Sequence, residues 1–453
     1  MENSENTIVA ISTALGNGGI SIIRISGSRA VEFADKVFSC KEKSVKDFTP
    51  RMLYLGTFEY NDIKDKCMCV YFKSPYSFTG EDVVEFQCHG GLTLTNAIYS
   101  SLVEVGCTPA TKGEFSKRAF LNGKISLDEA EGIIDIINAE SESEIKVGYQ
   151  LMQGELKNKI TTIQDNLTEL LAKIEVTLDY PEEDLEEETS SAILNTLKTN
   201  QDEISTLLNT ASIGKTIKDG SKILIYGKSN AGKSSLLNSL LSYNRAIVTD
   251  IKGTTRDTLE EVFIYKGYKF VLIDSAGIRN SDDIVENIGI QKSKDMVKEA
   301  DIVLFVVDSS EKLTNEDFDI ISTLNDKNTI VVYNKCDLNR QVEVDKIPFS
   351  KSIEISTKEN TNIDKLKELI LSNVIGNSSN NNSLVITNQR HISSLKNAID
   401  CLNSAIDGLN NFIQLDLISI DIKNAWIHLG DITGNSDNER IIDDIFSKFC
   451  VGK

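Results

Sequence analysis

Gly227-Lys-Ser-Asn-Ala-Gly-Lys-Ser234 matches G-x-x-x-x-G-K-[ST], and its flanks set the fold around it. The β-rich run Lys222–Tyr226 precedes it, and the helical pattern Ser235-Leu-Leu-Asn-Ser-Leu-Leu241 follows. A strand that passes through a Gly-rich loop into a helix aims backbone amides and the positive helix end at one spot, which suits a polyphosphate. Asn230, Ala231, Gly232, Lys233, Ser234 and Ser235 are the candidate contacts. Lys233 is placed to reach the β and γ phosphates, and the Ser234 hydroxyl to ligate Mg²⁺.

Further along the chain, three more elements come in order, each at the end of a short apolar run. Asp274-Ser275-Ala276-Gly277 closes the run Phe270–Ile273; its carboxylate can hold a Mg²⁺-bound water and its Gly amide can meet the γ-phosphate. Asn334-Lys335-Cys336-Asp337 closes Ile330–Tyr333, and an Asp there accepts from guanine N1 and the exocyclic amine, a donor pair that adenine lacks. Ser356-Thr357-Lys358 follows Ile353–Ile355 and can support guanine O6 through backbone amides. The order makes GTP the ligand. Between the phosphate loop and Asp274 lies Thr249-Asp250-Ile251-Lys252-Gly253-Thr254-Thr255-Arg256-Asp257, the place of a γ-phosphate-sensing switch, with Thr254 or Thr255 supplying a Mg²⁺ hydroxyl. Ile278 occupies the position where Ras-type enzymes carry a water-orienting Gln. Asp282, Asp283 and Glu286 are nearby carboxylates, and Arg245, Arg256 and Arg279 nearby cations; spacing does not choose among them.

The same alternation predicts a doubly wound parallel sheet over 218–375. Residues 1–118 read as mixed α/β, with strands at Ile8–Ile11, Ile20–Ile25, Cys67–Phe72 and Val83–Cys88. Residues 119–217 read as helix, because Leu156, Ile160, Ile163, Leu167, Leu170, Ile174 and Leu178 recur at steps of three and four. A polar linker, Gly376-Asn-Ser-Ser-Asn-Asn-Asn-Ser383, leads to a second helical segment, 376–453, whose Ile392, Leu395, Ile399, Leu402 and Ile406 repeat likewise. The expected fold is therefore multidomain α/β plus all-α: an α/β domain inserted between two helical segments that pack on each other.

The chain has 453 residues, 48 Lys plus Arg and 68 Asp plus Glu, a net charge of −20. That charge excludes bulk affinity for nucleic acid, so contact with RNA needs a local patch or a second protein. The longest apolar run, Ile302–Val307, is far short of the roughly 20 residues that span a bilayer. The acidic start, Met1-Glu-Asn-Ser-Glu-Asn6, is wrong for a secretory signal, and a cytoplasmic location is expected. Eight cysteines are scattered without C-x-x-C; Cys67 and Cys69 share a strand face and read as packing rather than metal ligands.

Further motifs carry a family resemblance. They are Thr7-Ile-Val-Ala-Ile11, Gly18-Gly-Ile-Ser-Ile-Ile-Arg-Ile-Ser-Gly27, Ser77-Phe-Thr-Gly-Glu-Asp82, Cys88-His-Gly-Gly91 and Gly113-Glu-Phe-Ser-Lys-Arg-Ala-Phe-Leu-Asn-Gly-Lys124. Asp250–Asp257, Val285-Glu-Asn-Ile-Gly289 and the terminal Phe449-Cys-Val-Gly-Lys453 complete the set. End to end, the chain resembles the MnmE (TrmE) family of tRNA-modification GTPases. The resemblance implies an N-terminal folate-binding and dimerisation domain, a discontinuous helical domain and an inserted Ras-like G domain. It implies a homodimer, an FAD-dependent partner (MnmG) in a heterotetramer, and tRNA as substrate, modified at C5 of the wobble uridine with a carboxymethylaminomethyl or aminomethyl group. It also implies a K⁺ held by the Asn230 side chain and the backbone oxygens of Thr249, Ile251 and Thr254, with Glu286 orienting water. Folate contacts for 5-formyltetrahydrofolate or a related tetrahydrofolate map to Arg24, Glu81, Lys124 and Lys453. Cys450, beside Lys453, is a candidate nucleophile or a structural thiol. Three departures stand out: Ala14-Leu-Gly-Asn17 in place of a Pro-Pro-Gly-Arg loop, Ser229 in place of Pro, and Asp274-Ser in place of Asp-Thr. The competing reading is a K⁺-dependent ribosome-assembly GTPase with RNA-binding accessory domains, which calls for a basic face and leaves the terminal Cys-Val-Gly-Lys unexplained.

Overall fold

Residues 6–41, 43–179, 186–241, 261–273, 295–324, 327–375, 384–434 and 439–453 are described by the computed structural model. They fall into two compact units: Met1–Ile134 with Gly148–Asn200 and Asn397–Lys453, and Asp135–Val147 with Gln201–Lys396.

In the first unit, strands β1 (Ile8–Ile11), β2 (Ile20–Ser26), β3 (Phe38–Ser39), β4 (Leu53–Tyr60), β5 (Ile63–Phe72), β6 (Val83–His89) and β7 (Thr108–Pro109) form one sheet. Its order is β3-β4-β5-β6-β2-β1-β7. The four runs expected from sequence are β1, β2, β5 and β6. Strand β4 lacks a clean sequence signature because its exposed side carries Leu53 and Leu55, which blurs the in/out alternation. One face buries Ile23, Ile25, Phe58, Cys67, Cys69, Phe86 and Cys88 against helices Ala30–Val37 and Leu92–Val105. At about 2 kcal/mol for each fully buried Phe or Ile, this face fixes the register, since a one-residue slip exposes all of it.

Helix Glu155–Asp179 buries Leu156, Ile160, Ile163, Leu167, Leu170 and Ile174 and packs on helix Leu415–Thr433, which buries Ile418, Ile422, Ala425 and Leu429. The two helical segments do pack on each other, and Gln164 Nε2 donates to Trp426 O at 3.0 Å between them. Leu178 is an exception to the expected face: it is exposed, one turn beyond the last buried position of that helix.

In the second unit, β8 (Ser221–Tyr226), β9 (Glu261–Tyr265), β10 (Tyr268–Ile273), β11 (Ile302–Asp308), β12 (Thr329–Asn334) and β13 (Ser352–Glu354) are ordered β13-β12-β11-β8-β10-β9. Five strands are parallel, as expected. The sixth corrects the all-parallel reading: β9 pairs antiparallel with β10 through a two-residue turn, Lys266-Gly267, at φ 48° and 83°. Such a turn closes a hairpin because both residues sit in the left-handed region. Alternate residues of the central strands feed two cores. Leu304 and Val306 pack with Leu236, Leu237, Leu240, Leu366 and Ile370 on one face. Val303, Phe305 and Val307 pack with Ile320, Ile321 and Leu324 on the other. That is the doubly wound arrangement.

Candidate functional site

Strand β8 delivers the chain at Gly227, and the phosphate loop ends in helix Lys233–Leu241, whose buried Leu236, Leu237, Leu240 and Leu241 fix it to the sheet. Two glycines are required by close approach. Gly227 has φ 156°, and a Cβ there sits 2.3 Å from Val306 O; Gly232 has φ 96°, and a Cβ there sits 2.0 Å from Asn334 Nδ2. Asn230 takes φ 63°, so its amide side chain stands at a tight left-handed bend, exposed. Lys233 Nζ donates to Gly227 O at 2.8 Å and Lys228 O at 2.7 Å, and burial pulls its ammonium below the usual lysine range. The loop therefore already curls around a cation, in the place a phosphate contact needs one. Ser234 and Ser235 lie exposed in the first helical turn, where a helix end favours anions.

Asn334 proves to be the joint of the site. It is fully buried at the end of β12; its Nδ2 donates to Ala231 O at 3.0 Å, and its Oδ1 accepts from Thr357 N at 3.2 Å. One side chain thus ties the phosphate loop to the Ser356-Thr357-Lys358 turn. That turn in turn holds Asp337: Ser356 Oγ donates to Asp337 Oδ1 at 2.7 Å, which keeps the carboxyl below its ordinary range. Cys336 N donates to Ile355 O at 3.1 Å, joining the two strand ends through the backbone.

Two residues not singled out by sequence belong here. Asp308, buried at the end of β11, accepts from Lys335 Nζ at 2.5 Å, while Lys335 itself bends at φ 61°. Burial pushes the Asp308 carboxyl up, but the hydrogen bonds from Lys335 and Ser310 outweigh it and the net shift is downward. Ser309 Oγ donates to Asn334 O at 2.7 Å. The available signal was position: Asp308 ends its strand as Asn334 ends the next, in register with it. Thr249, Asp250, Ile251, Lys252, Gly253, Thr254, Thr255, Asp274, Ser275, Ala276, Gly277 and Glu286 lie outside the described residues.

The other candidate contacts lie in the first unit. Arg24 on β2 faces Glu85 on β6; its Nε donates to Glu85 Oε1 at 2.7 Å and its guanidinium lies 5.7 Å from the Phe115 ring centre. Glu81 accepts from Ser26 Oγ at 2.7 Å and from Arg118, which is itself buried and also bound to Glu114. Arg118 thus neutralises one of two facing carboxylates, a role that spacing could not reveal. The Lys124 stem lies beside Gly80, next to Glu81. Lys124 and Lys453 make no ion pair with another described residue, so two cations remain available to a ligand's carboxylates.

The tail is docked. Phe446 and Phe449 are buried with Leu127 and Ala130, Val451 bridges to Lys112, and Gly452 O accepts from Ser12 Oγ at 3.2 Å and lies 3.5 Å from an Arg24 nitrogen. Gly452 sits at φ 97°, where a Cβ meets Ile11 O at 2.4 Å. Cys450 is exposed within this tail. A cavity of about 260 Å³ opens between the Ala14–Gly18 loop and Leu92 and Thr95; none of the four folate candidates lines it.

Residues 7–124 match the family model described as GTP-binding protein TrmE N-terminus, and residues 127–450 match that of the MnmE helical domain. The chain belongs to the MnmE family of tRNA modification GTPases. The tRNA modification GTPase MnmE of Clostridioides difficile (strain 630) is 43% identical over 456 residues, covering 99% of both chains. That of Desulforamulus reducens is 41% identical over 462 residues, covering 99% of this chain and all of its own. Among solved structures, the G domain of the T. maritima FeoB iron transporter is similar over 34% of this chain and 98% of its own, at 26% identity and a TM-score of 0.26. Within this MnmE-family chain, Gly232→Ala is expected to weaken GDP and GTP binding at least about tenfold, because the new Cβ expels the Asn334 amide and the backbone is strained at positive φ. A fluorescent-nucleotide titration reads this directly; unchanged affinity means the loop yields without cost.

Proposed function

We propose that the chain is a K⁺-dependent GTPase that acts with an FAD-dependent MnmG partner to place a carboxymethylaminomethyl or aminomethyl group on C5 of the wobble uridine of certain tRNAs. A tetrahydrofolate such as 5-formyltetrahydrofolate is the one-carbon donor. The observation that carries the reading is the guanine-nucleotide frame Asn334–Asp337–Ser356 set in a chain related over its whole length to tRNA modification GTPases. The proposed division is a folate-binding and dimerisation domain at 1–118, helical segments at 119–217 and 376–453, and a G domain at 218–375. A homodimer is favoured by the exposed Leu53 and Leu55 of β4. The expected compartment is the cytoplasm; none of the described helices is long and apolar enough to cross a membrane.

Lys233 and the loop amides bind the β and γ phosphates, Ser234 with Thr255 holds Mg²⁺, and Asp337 reads the guanine edge. Asn230 with Thr249, Ile251 and Thr254 holds K⁺; a bound monovalent cation supplies the charge stabilisation that an arginine finger gives elsewhere. The exposed amide at the Asn230 bend suits such an ion. Glu286 orients water where Ile278 cannot. Arg24, Glu81, Lys124 and Lys453 hold the folate: unpaired lysines suit its glutamate tail, and a carboxylate suits the amino-pyrimidine edge. Cys450 stands beside this group with an exposed thiol.

Mass analysis of wobble nucleosides from a deletion strain, with and without the restored gene, tests the reading; unaltered wobble uridine in the deletion overturns it. Hydrolysis in K⁺ buffer is expected to exceed that in Na⁺ buffer by about tenfold or more. Glu286→Ala is expected to lose about 10²-fold in kcat with GTP affinity retained, since it acts on water rather than on nucleotide. Equal turnover in the two buffers removes the K⁺ assignment, and a parallel loss of affinity removes that of Glu286.

A further inference from the structure

The inner face of the first sheet contains a donor set that neither the nucleotide site nor the folate contacts use. The pairing Met68↔Gln87 sets Cys67 on β5 across from Cys88 on β6. The two sulfurs lie within 4.8 Å of each other. Asp65, two residues before Cys67 and so on the same face, brings a carboxylate to them. One donor atom from each of the three lies within 4.8 Å of the others, and all three residues are buried, at 8%, 3% and 2% exposure for Asp65, Cys67 and Cys88. Burying a carboxylate among apolar side chains is costly unless it is paired or holds a cation.

Its one described partner here is His89. Asp65 Oδ2 accepts from His89 N at 2.9 Å, and Oδ1 lies 2.6 Å from His89 Nδ1. These contacts aim the carboxylate and leave a lone pair on each oxygen. The His89 ring is 69% exposed, so solvent reaches this end of the cluster and an ion has a way in. Two sulfurs and one carboxylate oxygen form a soft-to-borderline set, and one position remains for a water molecule.

We propose that Asp65, Cys67 and Cys88 form a zinc-binding site in the N-terminal sheet. Both thiols lose their protons to solvent as Zn²⁺ binds. Two thiolates and a carboxylate leave the Zn²⁺ site at one negative charge. His89 is a positioning residue that orients the carboxylate from outside, as outer carboxylates orient metal-bound imidazoles. Cys69, on the same face but among Phe and Val side chains, is not part of the set and remains packing. Spacing along one strand offers Cys67 only as packing, because the residue facing it comes from another strand.

The test uses the full-length, reduced, chelator-treated chain and Co²⁺ as a probe, because cobalt bound to thiolate absorbs where cobalt on oxygen ligands does not. One equivalent of Co²⁺ is expected to develop a sulfur-to-cobalt band that Zn²⁺ bleaches. Cys67→Ala and Cys88→Ala each remove the band, whereas Cys450→Ser keeps it. His89→Ala is expected to weaken Co²⁺ binding about 10- to 100-fold. Zn²⁺ raises Tm of the native chain and leaves Tm of the folded Cys67→Ala chain unchanged, which separates lost ligation from lost folding. Absence of the band, a band that survives Cys67→Ala and Cys88→Ala, or a Cys67–Cys88 disulfide in the chain as isolated from cells overturns the site.

Discussion

Asp337→Asn is expected to turn the nucleotide site away from guanine and toward xanthine. The Asp337 carboxylate is fixed by Ser356 at 2.7 Å, and the turn that carries Ser356 is held in place by Asn334. It therefore presents its carboxylate in one orientation rather than as a mobile surface acid. A carboxylate accepts from guanine N1 and its amine together. An amide keeps one acceptor for N1 and places an N–H against the exocyclic amine, so GTP affinity falls by roughly 10³-fold, while XTP, which carries a carbonyl acceptor in place of that amine, gains. Competition of GTP and XTP for the same fluorescent nucleotide measures the ratio. A variant that still prefers GTP shows that base recognition lies elsewhere.

Deletion of Cys450–Lys453 should abolish wobble modification and leave hydrolysis nearly intact. The segment is held by the Val451–Lys112 bridge, the Gly452 contacts to Ser12 and Arg24, and a close passage over Ile11. It carries Lys453 to the strand that bears Arg24 and Ser26, and Ser26 bonds Glu81. Phe446 and Phe449 stay in the shortened chain, so the last helix keeps its apolar anchorage. Gly452→Ala is a subtler probe: at φ 97° with Ile11 O 2.4 Å from the new Cβ, it dislodges the tail without shortening it. Both variants are expected to lose modification and folate binding, while K⁺-stimulated hydrolysis changes less than about twofold because no nucleotide residue belongs to this unit. Normal wobble modification by either variant removes the role of the tail, and a parallel fall in hydrolysis shows that the two activities are not separable.

Local pattern alone determined much of this chain. The candidate motifs at Gly227–Ser234, Asn334–Asp337 and Ser356–Lys358 begin within a few positions of strand ends, and β8, β10, β11, β12 and β13 could be placed from their apolar runs. Helix Glu155–Asp179 was legible because its buried positions repeat at the helical period. Beyond the reach of sequence were contacts whose partners are remote in the chain. The antiparallel β9 depends on a two-residue turn and an edge position, and an apolar run looks the same in either direction. Asn334 has turn chemistry locally; only the fold puts Ala231 and Thr357 on its two ends. Arg118 is a basic residue in a helix until Glu81 and Glu114 close on it. Cys67 pairs with Cys88 rather than with Cys69 because sheet register, set by burial of a whole face, decides which side chains meet across strands, and spacing along one strand carries no information about it.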